Sequence, residues 1–81
     1  MDAGEVIDVS ERVIVSPAVG IYQPLALVGP VEAGEVIGHV AAADRSTIPV
    51  CSPFRGRLVE VVAWPGERVV HHQRIAWLRV A

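Results

Sequence analysis

The sequence predicts an all-β domain, and three observations carry that expectation. Val, Ile and Leu come in short clusters separated by Gly and Pro, and none keeps helical spacing for the roughly ten residues that a helix needs. The chain repeats itself internally at offsets of 36 to 38 residues. Its composition is 52% apolar with four aromatic side chains among 81 residues, which suits a small β-rich core and is too apolar for a disordered segment. A chain this short buries only about 60 to 65% of its unfolded surface, so one core and one domain are expected.

Residues 1 to 10 read as a loose or weakly paired lead-in, and residues 11 to 81 as the domain itself. The first strand is expected over Arg12–Ser16. Two further runs, Val36–Ala42 and Ile48–Ser52, flank the compact polar cluster Asp44-Arg45-Ser46-Thr47, which is the signature of an exposed hairpin tip. A loop displayed by a rigid scaffold is where binding and chemistry concentrate, so this tip is the first candidate site. The next run, Gly56–Val62, alternates Arg57, Val59 and Val61 on one side with Leu58, Glu60 and Val62 on the other. Neither side is cleanly apolar, and the alternation does not fix the register. Trp64 precedes the turn formers Pro65-Gly66 and is expected as an exposed contact, whereas Trp77, in the closing run Ile75–Val80, is expected in the core.

The repeat organises these runs. Ser16-Pro17-Ala18-Val19-Gly20 returns as Ser52-Pro53-Phe54-Arg55-Gly56, and Val31, Gly34, Ile37 and Val40 return as Val69, His72, Ile75 and Leu78. That three-residue spacing fits neither a regular helix nor a regular strand. Gly29 matches Gly66. The pair Gly34-Glu35 also resembles Gly66-Glu67, but at an offset of 32 that breaks the register, and it reads as coincidence. Two similar halves imply two β layers related by a pseudo-twofold, each covering the other's apolar face.

The formal charge of −2 comes with no block of like charges, so nothing steers the chain toward nucleic acid or an anionic membrane. No run approaches the ~18 apolar residues of a membrane span, and the opening Met1-Asp2-Ala3-Gly4-Glu5 lacks a basic leader region; a cytoplasmic protein is expected. The single Cys51 has no partner for a disulfide or a metal and reads as a small buried side chain. His39, His71 and His72 supply too few converging ligands for a metal site, and His71 and His72 would face opposite ways on a strand. Phosphate loops, catalytic carboxylate pairs and nucleophile elbows are absent from the sequence, so no catalytic residue is assigned.

From about Val13 to Val80 the chain resembles the biotinyl/lipoyl attachment family, and within it the biotin carboxyl carrier domains. Ser16-Pro17-x-x-Gly20 is similar to the family's opening strand and turn, Gly34-Glu35-Val36-Ile37 to its Gly-Asp-x-Leu step, and Ile48-Pro49-Val50-x-Ser52-Pro53-x-x-Gly56 to the stretch after the attachment hairpin. From Gly66 through Val69 and Ile75 to Leu78 the closing pattern is similar too, with His72 where a glycine is usual. The resemblance implies a barrel-sandwich hybrid, a flattened β-barrel of two four-stranded sheets.

In that family the hairpin tip carries Ala-Met-Lys-Met or a variant, and the lysine amine takes biotin or lipoate in an amide bond. Here the tip reads Ala43-Asp44-Arg45-Ser46. Counting back from Ile48-Pro49-Val50 sets Arg45 on the lysine; counting forward from Gly34-Glu35 sets Asp44 there, because this hairpin is one residue longer than usual. The downstream match is closer and favours Arg45. Loading needs a neutral primary amine, and the arginine pKa lies so far above the lysine value of about 10.4 that the neutral fraction falls roughly a thousandfold. All seven basic residues are arginines, and Met1 is the only methionine. No biotin or lipoate cofactor is therefore expected. The expected role is a carrier-like accessory, regulatory or scaffolding component of a carboxylase or acyl-transfer assembly, acting through a protein partner by Asp44, Arg45, Ser46 and Thr47. The alternatives are a small-molecule-binding or biosynthetic enzyme with a cleft near Tyr22, Trp64, His39 or His71, and a decayed carrier with no present role.

Overall fold

Among the described residues, eight strands, every neighbouring pair antiparallel, form two four-stranded sheets. The computed structural model describes residues 10–80, so the expected lead-in lies outside the described residues except for Ser10. The strands are β1 (Glu11–Val15), β2 (Gly20–Pro24), β3 (Gly29–Val31), β4 (Val36–Ala41), β5 (Thr47–Cys51), β6 (Gly56–Val61), β7 (Arg68–Val69) and β8 (Arg74–Val80). One sheet has the order β1-β8-β6-β3 and the other β5-β4-β2-β7. This is the flattened barrel-sandwich arrangement that the sequence led us to expect. The five expected runs are all strands; β2, β3 and β7 are additional, and each is too short or too interrupted by Gly and Pro to show a period.

The pseudo-twofold is visible in the core. Ile14, Tyr22, Val31, Ile37 and Val40 are buried from the first half, and their repeat mates Val50, Leu58, Val69, Ile75 and Leu78 are buried from the second. Removing each such side chain from water contributes roughly 1.5–3 kcal/mol. The one large difference between mates is compensated locally. Tyr22 is bulkier than Leu58, and it lies over Gly38, where a Cβ would come 2.6 Å from Tyr22 Cζ; the mate of Gly38 is Ala76, beside the smaller leucine's half. Tyr22 donates its hydroxyl to the Ile37 carbonyl at 3.4 Å, and burial raises its pKa.

The three-residue spacing has a physical origin in two devices. The first is a β-bulge: between Val36 and Gly38 the pairing with β5 slips by one residue, and between Ile14 and Val15 the pairing of β1 with β8 slips around Ile75. Each slip turns two consecutive residues inward, Ile37 with Gly38 and Ile75 with Ala76. The second is a turn before each of these strands. In Glu32–Glu35 and Val70–Gln73 the first residue's N–H donates to the side-chain oxygen of the fourth, at 2.9 and 3.0 Å, and the third residue has positive φ, 87° at Gly34 and 72° at His72. The segment Trp64–Glu67 repeats the device, with Trp64 N–H on Glu67 Oε1 at 2.8 Å and Gly66 at φ 83°. The likeness of Gly34-Glu35 to Gly66-Glu67 is thus a recurring turn and not coincidence.

Three further expectations are corrected. Another bulge, between Leu58 and Glu60, breaks the alternation of β6, so that Leu58 is buried while Val59 and Glu60 are both exposed. Trp77 is half-buried on the outer face, paired with Val13 and Glu60, because Ile75 and Ala76 have used both inward positions before it. Cys51 is exposed, since Val50 takes the inward position of β5.

Candidate functional site

The β4–β5 hairpin ends in a three-residue loop. Ala41 pairs with Thr47, the Ala42 N–H donates to the Ser46 carbonyl at 2.9 Å, and the Arg45 N–H donates to the Ala42 carbonyl at 3.0 Å. Thr47 therefore belongs to the strand ladder, and the tip proper is Ala43-Asp44-Arg45. Arg45 has φ 71°, the left-handed conformation that such a hairpin demands after its turn and that costs an arginine on the order of 1 kcal/mol.

Asp44 locks this geometry. Its Oδ1 accepts the Ser46 hydroxyl at 2.5 Å and the Ser46 N–H at 3.0 Å, and these two bonds, the hydroxyl's first, hold the carboxyl below the usual carboxylate range. The carboxylate is thereby committed to the turn. The Arg45 side chain has no hydrogen bond or ion pair among the described residues, so the apex presents a guanidinium.

Beside the hairpin runs a shallow groove of about 390 Å³, lined by Val19, Ile21, the Ala41-Ala42-Ala43 run and Arg68. Val19 and Ile21 are exposed there. The tip and this groove form one continuous surface, a cation at its apex and an apolar trough behind it. Chemically it offers a guanidinium and apolar side chains, and no primary amine. The tip's side chains are the Ala43 methyl, the Asp44 carboxylate and the Arg45 guanidinium, with the Ser46 hydroxyl beside them.

The remaining sequence candidates do not converge. Tyr22 is fully buried and offers nothing to a partner or ligand. His39 is half-buried on the outer face of β4, between Gln23 and Pro49. Trp64 is 76% exposed on its turn. His71 and His72 lie in the turn before β8 and not on a strand; their rings stack at 3.8 Å instead of facing apart. None of these five residues lines the groove beside the hairpin. No group of three metal-binding side chains occurs among the described residues, and no helix there is long and apolar enough to cross a membrane.

Sequence reasoning missed the second groove, about 810 Å³, lined by Arg55, Arg57 and Arg79 with Pro30, Val31, Glu32, Gly56 and Val80. A signal was present: within the aligned Ser-Pro-x-x-Gly blocks, Val19 and Ile21 fall on Arg55 and Arg57.

No protein-family model and no curated protein sequence matches the chain. Solved structures share its fold. A segment of a single-chain, multi-domain long-chain acyl-CoA carboxylase matches with a TM-score of 0.79 at 15% identity, over 98% of this chain and 8% of that one. Kluyveromyces lactis urea carboxylase matches at 0.77 and 21% identity, over 96% of this chain and 7% of that one. A succinylglutamate desuccinylase/aspartoacylase from Rhodobacter sphaeroides matches at 0.68 and 24% identity, over 84% of this chain and 21% of that one. The chain thus spans a small part of each of these proteins.

Proposed function

We propose that this domain is a carrier-like module that takes neither biotin nor lipoate and acts by docking its β4–β5 hairpin on a protein partner, as an accessory or scaffolding component of a carboxylase or acyl-transfer assembly. One observation carries the reading: on a carrier-type barrel, the hairpin that would present a loaded lysine is instead a turn locked by Asp44 and Ser46 with a free guanidinium, Arg45, at its apex. A locked tip is preorganised, so little conformational entropy is lost when a partner closes over it. The apolar trough supplies buried area and Arg45 supplies orientation. Two carboxylases among the structural matches contain this fold as one segment of a long chain, which motivates the class of assembly.

The test has two arms. Intact-mass measurement of the protein from its own cells is expected to give the unmodified chain, and an added biotinyl or lipoyl mass overturns the first half of the proposal. Affinity capture with the wild-type domain is expected to recover a carboxylase or acyltransferase component, and Arg45→Ala to lose it. Equal capture by both would remove the hairpin from the interface.

A further inference from the structure

The two grooves are mates under the pseudo-twofold. Val19, Ile21 and Ala41 of the hairpin groove correspond to Arg55, Arg57 and Arg79 of the other, so one geometry is built once with apolar side chains and once with guanidinium groups. The ends they mark are also equivalent: Ala42 N–H donates to the Ser46 carbonyl at one, and Val80 N–H to the Ser10 carbonyl at the other, at 2.7 Å.

The arginine groove carries an arrangement that folding does not explain. Arg57 and Arg79 are direct cross-strand partners on β6 and β8. Like charges directly opposite, with Cβ atoms about 5 Å apart, destabilise a sheet. Arg79 is relieved by Glu11, on the far side, at 3.1 Å, and Arg55 by Glu32 at 3.5 Å. Arg57, between them, has no ion-pair partner among the described residues; Glu60 on the same face pairs across from Trp77 and forms no salt bridge with it. A carboxylate set between Arg57 and Arg79 would turn that repulsion into attraction, and the two carboxylates already seated in the row show that the guanidinium groups accept them.

We propose that this groove is a second docking surface, distinct from the hairpin, that binds an acidic segment of a protein partner through several carboxylates. Several are required because the groove is shallow and its side chains are solvated, with Arg55 80% and Arg79 63% exposed; a single exposed ion pair binds weakly, and only a run of them along one chain accumulates affinity. The inference is independent of what the hairpin does.

The test is a backbone-amide NMR titration of the full chain with a hexaglutamate peptide at low salt, with hexaglutamine as control. Shifts are expected at Val31, Gly56, Arg57, Arg79 and Val80, weakening as added salt shortens the screening length. Arg57→Gln should weaken binding about three- to fivefold, the size of one exposed charge pair, and Arg74→Gln, toward the other end of β8, should leave it unchanged. Shifts spread evenly over all the arginines, or an unaltered affinity in Arg57→Gln, would overturn the proposal. So would saturation by inorganic phosphate at lower concentration than the peptide, which would make this a small-anion site.

Discussion

Ser16 and Ser52 offer the sharpest test of the pseudo-twofold, because their surroundings are copies. Both are fully buried. Each hydroxyl donates to the carbonyl two residues on, Ser16 to Ala18 at 2.7 Å and Ser52 to Phe54 at 2.6 Å, and weakly accepts the N–H of the same residue at 3.4 and 3.3 Å. Their backbones are matched as well: Ser16 N–H donates to the Gln73 carbonyl and the Ser16 carbonyl accepts from His72 N–H, while Ser52 N–H donates to the Glu35 carbonyl and the Ser52 carbonyl accepts from Gly34 N–H. Ser→Ala at either site keeps the backbone bonds and removes one short hydroxyl bond, leaving a part-buried carbonyl unpaired. The net value of such a bond plus desolvation of the orphaned carbonyl comes to about 1.5–2 kcal/mol. For a domain of this size that lowers the thermal midpoint by about 6–16 °C. Urea unfolding of the two single variants and the double should give equal single losses and an additive double, since the two sites share no partner. A difference above about 1 kcal/mol between the singles, or a double loss far from their sum, would refute the equivalence of the two halves.

Two further outcomes are expected. Asp44 titrates below the ordinary carboxylate range, so the stability it contributes is complete above the unfolded-state pKa of about 3.9 and is lost as pH falls through the lower folded value. An NMR pH titration should find its pKa moved up toward the ordinary value in Ser46→Ala. His72→Gly should raise the unfolding free energy measured in urea by about 0.5–1 kcal/mol, because relief of left-handed strain outweighs the added freedom of the unfolded chain; a lower value would mean that the stack on His71 contributes more than the strain costs.

What the sequence disclosed, and what it concealed, divides along the range of the forces involved. The repeat was legible because core volumes must match in pairs: a side chain at Ile37 or Ile75 meets the same demand from the opposite sheet, and the demand leaves an apolar residue at both. The hairpin tip was legible through Asp44-Arg45-Ser46, whose bonds span only two residues, although Thr47 proved to belong to the ladder. Register was not legible. Bulges at Ile37, Val59 and Ile75 each reset the inward face, and from these follow the outward Trp77 and the broken alternation of β6. The arginine groove was concealed for the same reason, since Arg57 and Arg79 are 22 positions apart and meet only through a strand pairing that no local pattern announces.

The places where the two halves disagree are more informative than those where they match. Within the core, disagreement is compensated at once, as when Tyr22 takes the space that Gly38 vacates. At the two grooves compensation is only partial: Val19 and Ile21 leave apolar surface open to water, and although Arg55 and Arg79 pair with Glu32 and Glu11, Arg57 sits directly across from Arg79 with no carboxylate of its own among the described residues. Folding alone would favour polar, mixed-charge side chains at both. Arg45, strained at φ 71° where glycine would be relaxed, departs from local preference in the same direction. Departures from local rules that lack an internal gain concentrate where selection acts on something outside the chain. The hairpin end and the arginine end are the two such regions, and they are the two surfaces at which we propose that partners dock.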